Sequence, residues 1–229
     1  LDGINKLEAA LHVSFRDAAL LQQALVHRSY LHENPDFSLP SNERMEFLGD
    51  SMLSAIVAEK LYKDYPGLSE GDMTKLRSAL VRKETLARIA RQHLKLDGYL
   101  YLGHGEETSG GRVRQSILAD ALEAVIGAVF LDQGFEACRN LILRLYEGEV
   151  EKAVGASLTA DFKSQLQEVT QSRYHEIPEY HVISAEGPDH AKEFIVEVVV
   201  GGRVIGKGSG SSKREAEKEA AKAALDAGT

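Results

Sequence analysis

Asp120 and Glu123 are the only charges in residues 117–131, where every other side chain is Ala, Val, Ile, Leu, Phe or Gly. That composition predicts a helix buried on nearly all sides. Ionised carboxylates are rarely buried without a compensating cation. Their i, i+3 spacing sets both on one helical face. A second segment, Asn42-Glu43-Arg44-Met45-Glu46-Phe47-Leu48-Gly49-Asp50-Ser51, repeats the pattern. Its Glu43, Glu46 and Asp50 fall at i, i+3 and i+7, again on one face. If two such helices cross, four or five carboxylates converge, and at close range they cannot all ionise without a cation. An all-oxygen donor set suits Mg²⁺ or Mn²⁺ rather than zinc or copper. Such a centre suits phosphoryl chemistry, because a bound ion can turn water into hydroxide and a second can steady the leaving oxygen.

Other chemistries fit less well. The eight histidines have no metal-ligand spacing, and the chain has neither a G-x-S-x-G elbow nor a Walker A loop. A di-iron carboxylate bundle normally uses Glu-x-x-His pairs, and Asp120-x-x-Glu123 has no histidine. Ordinary solvated acidic faces are the plainer alternative. The apolar neighbours of Glu46, Asp50, Asp120 and Glu123 leave little wet face for that; for Glu43 the two readings are balanced.

These acids need helices to hold them, and the first 150 residues supply a succession of them. Apolar spacing predicts helices over 4–11, 17–30, 41–62, 72–81, 83–93, 116–131 and 136–151, with Ser41 capping the third. Residues 102–114, with four glycines, predict a loop. Its Gly110-Gly111-Arg112 and Arg114 are either a candidate ligand contact or merely mobile basic loop. The small, polar segment 151–159 predicts a linker. Beyond it, 160–173 is an amphipathic helix, 180–185, 193–200 and 203–207 are strand-like, and 212–225 is an alanine-rich helix. The order α-β-β-β-α predicts a small α+β domain.

The single cysteine, Cys138, excludes an internal disulfide and cysteine-rich zinc sites. No basic-apolar-small leader opens the sequence, and its longest apolar run is too short and too charged to span a membrane. A cytoplasmic protein with no membrane partner is expected. The net charge of −8 disfavours nucleic acid at first sight. Metal-binding acids nevertheless inflate that count, and local patches are not described by it.

The last domain carries such a patch. Gly208-Ser209-Gly210-Ser211-Ser212-Lys213-Arg214 brings flexible, hydroxyl-bearing and basic residues to a helix N-terminus, a ready phosphate site. Ser164, Gln167 and Gln171, at i, i+3 and i+7, can reach 2′-hydroxyls and base edges in a wide minor groove. The turn Gly187-Pro188-Asp189-His190 offers a third contact through His190.

The decapeptide 42–51 closely resembles the signature of the ribonuclease III family. His27-Arg28-Ser29-Tyr30, Glu70-Gly71-Asp72-Met73-Thr74, Leu80-Val81 and Ser116-Ile117-Leu118-Ala119-Asp120-Ala121-Leu122-Glu123-Ala124 agree with it. The carboxy-terminal residues resemble a double-stranded RNA-binding domain, except that Glu217 stands where a third basic residue is usual. The resemblance implies a multidomain protein: an all-α endonuclease and dimerisation domain (1–150), a linker (151–159) and an α+β RNA-binding domain (160–229). It implies that Glu46, Asp50, Asp120 and Glu123 hold Mg²⁺ or Mn²⁺, with Asp50 and Glu123 catalytic, and that Glu43 handles substrate. It implies a homodimer, with Met45 and Phe47 either at the contact or simply in the core. The implied reaction is metal-dependent hydrolysis of double-stranded RNA, leaving 5′-phosphates, 3′-hydroxyls and two-nucleotide 3′ overhangs, in rRNA and mRNA processing. A non-enzymatic RNA-binding protein on the same scaffold is the competing reading; the intact carboxylates argue against it.

Overall fold

A computed structural model describes residues 2–160, 162–186 and 192–228. The chain divides into two compact units, Leu1–Ala153 and Val154–Thr229. The first contains α1 (Asp2–Leu11), α2 (Ala18–Ala24), α3 (Arg28–Glu33), α4 (Glu43–Asp64), α5 (Glu70–Leu80), α6 (Lys83–His93), α7 (His104–Thr108), α8 (Gln115–Gln133) and α9 (Phe135–Leu145); α10 (Glu149–Ala160) runs across the division.

The apolar composition of α8 follows from its central place, with α2, α4, α6 and α9 packed around it. Leu122, Val125, Ile126 and Val129 are fully buried. Each such side chain contributes about 1.5–3 kcal/mol through its removal from water. Cys138 of α9 also lies in this core, and burial pushes its thiol up to about 11, which suits an inert packing role.

The crossing of α4 and α8 is the decisive contact. A Cβ at Gly49 would lie 1.7 Å from the Glu123 carbonyl oxygen, and one at Gly127 would lie 2.4 Å from that of Met45. Only glycine permits this backbone approach, and it occurs at the level of the acidic residues.

Five segments differ from the sequence reading. The helix predicted over 136–151 is α9 and the start of α10, parted by a turn at Gly148 with φ +74°. In the other four a distant group supplies what local pattern could not. Residues 17–30 are two helices, not one. Between them Val26 pairs in parallel with Tyr101; the Tyr101 N–H donates to Leu25 O at 3.0 Å and the His27 N–H to Tyr101 O at 3.1 Å. Ser41 does not cap α4. Buried Asn42 holds the cap position, its Nδ2 donating to Ala24 O at 3.3 Å, while the Ser41 hydroxyl donates to Glu43 at 2.8 Å. The predicted loop 102–114 contains α7 and a 3₁₀ turn, Gly111–Val113. Glu33 accepts the His104 and Gly105 N–H groups that open α7. The predicted linker 151–159 is helical, within α10. Val150 and Val154, one turn apart, are buried, and Arg88 donates to Glu149 at 3.0 Å.

The second unit runs α11 (Phe162–Tyr174), β1 (Glu179–Glu186), β2 (Glu193–Val200), β3 (Arg203–Gly210) and α12 (Lys213–Asp226). The antiparallel sheet has the order β1-β2-β3, with Val198 opposite both Tyr180 and Gly206. Its core joins Leu166 of α11, Val196 and Val198 of β2, and Ala216, Ala220, Ala221 and Ala224 of α12. Gly206, Gly208 and Gly210 fall on one face of β3. A Cβ at these three positions would come within 2.4, 2.1 and 2.7 Å of the α12 backbone. The glycines read from sequence as flexible therefore belong to a packed strand, which runs to Gly210 rather than ending at Lys207.

Candidate active site

α4 and α8 each present one acidic face, and their crossing brings these faces together. Glu46, Asp120 and Glu123 each place a carboxylate oxygen within 4.8 Å of the others. Ligand oxygens around an octahedral Mg²⁺ at 2.0–2.1 Å lie about 3–4 Å apart, so this donor set fits a divalent ion with slight closure. Glu123 is only 8% exposed. Burial, followed by the charges of Asp50, Glu46 and Asp120, pushes its carboxyl up to about 8 against the opposing charge of Lys83. Burial and then Asp120 also raise Glu46. The cluster holds more negative charge than its neighbours neutralise, a deficit that a proton or a divalent cation can fill.

Asp50 is exposed on α4 and lies outside the three-way group, although its charge is the first to act on Glu123. The four acids grouped from sequence are thus three converging carboxylates and one flanking charge. Glu43 is also outside: it is exposed, 3.7 Å from Arg28. Sequence reasoning missed Lys83, whose Nζ is 3.4 Å from Asp120 Oδ1. Nothing local marks this lysine, and its partner lies on another helix.

A cavity of about 520 Å³ adjoins Glu46 and Asp120, and His27, Arg28, Arg114 and Ser116 line it. The His27 Nδ1 accepts the Ser29 N–H at 3.3 Å, and burial lowers this imidazole's pKa. The basic residues of the predicted mobile loop are engaged. Arg112 donates to Asp97 O at 2.9 Å and Leu100 O at 3.2 Å, while Arg114 pairs with Glu106.

Met45 and Phe47, grouped from sequence at a subunit contact, separate. Two residues along a helix lie on nearly opposite faces. Met45 is buried at 4% exposure, which fits the core alternative of the sequence reading, whereas Phe47 is 77% exposed.

In the second unit, Ser164, Gln167 and Gln171 share one exposed face of α11 and line a shallow depression. Ser212 caps α12 by accepting the Glu215 N–H at 3.2 Å, and the Ser211 hydroxyl donates to Glu215 at 2.6 Å. Ser212 of the chain itself thus caps this helix end. Lys213 and Arg214 remain exposed there, with no acidic partner among the described residues. Glu217 is compensated by Lys163 at 2.6 Å. His190 and the rest of its turn lie outside the described residues.

Comparison with known proteins agrees with both halves. The family description Ribonuclease-III-like matches residues 17–149, and Double-stranded RNA binding motif matches 162–227. The Ribonuclease 3 of Dehalococcoides mccartyi (strain ATCC BAA-2266 / KCTC 15142 / 195) is 47% identical over 222 residues, 97% of this chain and 93% of that protein. That of Roseiflexus sp. (strain RS-1) is 46% identical over 226 residues, 98% of this chain and 95% of that one. A solved nuclease domain of the Campylobacter jejuni ribonuclease III superposes with a TM-score of 0.59 at 43% identity, covering 63% of this chain and 96% of that domain. Two matched domains in the order nuclease then RNA-binding motif, and near-full-length identity to named relatives, place this chain in the ribonuclease III family of enzymes.

Proposed function

We propose that this chain is a Mg²⁺-dependent endoribonuclease that hydrolyses double-stranded RNA, with Mn²⁺ able to substitute. The convergence of Glu46, Asp120 and Glu123 carries this reading. These three would hold the ion, and Asp50, the flanking charge that acts most on Glu123, would complete its surroundings as a ligand. A bound ion would supply Lewis acidity toward water and a phosphate oxygen. The protein's own part is to gather the carboxylates on two rigid helices and to release the proton that burial keeps on Glu123. Asp50 and Glu123 are the catalytic carboxylates in this reading. Glu43, beside the cavity with Arg28, handles substrate.

Residues 1–150 would cut and dimerise, and 160–229 would grip the duplex, joined through 151–159. The C. jejuni nuclease domain has a region involved in dimer formation. Here the exposed Phe47 is the proposed subunit contact. Each subunit would cut one strand, leaving 5′-phosphates, 3′-hydroxyls and two-nucleotide 3′ overhangs. Ser164, Gln167 and Gln171 would meet the minor groove. Lys213 and Arg214 would meet phosphate, with Ser211 and Ser212 shaping that helix end and His190 as a third contact. Shape readout of this kind gives weak sequence preference. The expected setting is cytoplasmic rRNA and mRNA processing; among the described residues no helix is long and apolar enough to cross a membrane.

The test uses a labelled RNA duplex with and without Mg²⁺, beside Glu123→Ala. Cutting by the unaltered chain with metal alone, and duplex binding without cutting by the variant, are the expected results. Equal cutting by both proteins would remove Glu123 from the mechanism, and binding without cutting by either would leave an RNA-binding protein.

A further inference from the structure

Among the described residues, the direct cation contact of the acidic cluster comes from neither acidic helix. Lys83 is the first residue of α6, and its Nζ lies 3.4 Å from Asp120 Oδ1. A cation at a helix N-terminus opposes the macrodipole, so this placement does not serve α6 itself. The turn behind it is pinned. The Thr85 hydroxyl donates to Ala79 O at 3.0 Å, and the buried Tyr146 hydroxyl donates to Leu80 O at 3.1 Å. The backbone is thus held while the Lys83 side chain, 62% exposed, keeps the freedom to swing. Its neighbour Arg82 turns instead toward Glu84 at 3.9 Å.

A divalent ion in the cluster needs the Asp120 carboxylate that Lys83 already engages. We infer that Lys83 is a resident counter-ion competing with the divalent ion for Asp120, so that ion entry displaces its ammonium. Lys83 is accordingly a positioning residue that sets the ion concentration at which the site fills. The inference rests on the reading of Glu46, Asp120 and Glu123 as an ion cradle.

The test is calorimetric titration of the 229-residue chain with Mn²⁺ in the absence of RNA. Lys83→Met should tighten binding about two- to five-fold, the range that an exposed ion pair spans. Lys83→Arg, which keeps the charge, should restore affinity close to the unaltered chain, and Arg82→Met should leave it unchanged. Unchanged or weaker binding by Lys83→Met would overturn the inference. So would equal tightening by Arg82→Met, since that would mean a diffuse field rather than a contact. If the unaltered chain takes up no ion, the cradle reading falls and this inference with it. Uptake that is indifferent to Lys83→Met removes only the inference.

Discussion

Ion binding should release a proton, and its affinity should follow pH steeply. Without metal the Glu123 carboxyl is raised to about 8 by burial and by the neighbouring acids. At pH 7 a group of that pKa is about one-tenth ionised, and at pH 6 about one-hundredth. A carboxylate must be deprotonated to ligate, so binding carries that penalty. Apparent Mg²⁺ affinity should fall about tenfold between pH 7 and pH 6, and level off above about pH 8. Close to one proton per ion should be released at pH 7, a proton that belongs to the coupled carboxylates together. The assay is calorimetric titration in two buffers of different ionisation enthalpy, repeated from pH 6 to pH 9. Constant affinity across that range, with no proton release, would refute the reasoning. The same burial has a cost in the metal-free protein. The unfolded chain ionises Glu123 above about pH 4.5, whereas the folded chain resists until about 8. The folded state's advantage is therefore fully present below pH 4.5 and declines as pH rises toward 8. At pH 7 the loss approaches about 3 kcal/mol as an upper bound. In chelator, Glu123→Gln should raise the melting temperature of the nuclease unit at pH 7 and should not raise it at pH 4.

Two substitutions test the close approaches. Gly49→Ala adds a Cβ 1.7 Å from the Glu123 carbonyl oxygen, so α4 and α8 must separate. It should destabilise the nuclease unit by about 1–3 kcal/mol or more and weaken ion binding, read by thermal denaturation and calorimetry; unchanged values would refute the crossing as the source of the site. Gly208→Ala places a Cβ 2.1 Å from the Ala220 nitrogen, so α12 must lift from the sheet. It should cost about 1–3 kcal/mol in the second unit, lower duplex affinity at least tenfold and leave the nuclease unit's melting unchanged. Undiminished binding in a gel-shift assay would count against that packing.

Local pattern carried far because the chemistry is written into periodicity. Isolated acids at helical spacing within apolar runs announced α4, α8 and their acidic cluster, since burial of charge needs a reason wherever it occurs. The change from helical to alternating pattern after residue 160 announced the α-β-β-β-α order in the same way. The break at Leu25–His27, the capping of α7 by Glu33 and the helical run through 151–159 were not legible. Each depends on a backbone or carboxylate partner brought in by folding, and no local spacing encodes a partner tens of residues away. The site itself divides along the same line. Residue types alone selected Glu46, Asp50, Asp120 and Glu123. Tertiary structure drew Glu46, Asp120 and Glu123 into one cluster, left Asp50 at its flank, buried Met45 and brought Lys83 to Asp120. The physical reason is the Gly49–Gly127 crossing: backbone contact fixes which faces of two helices meet, and only that contact decides which carboxylates come together.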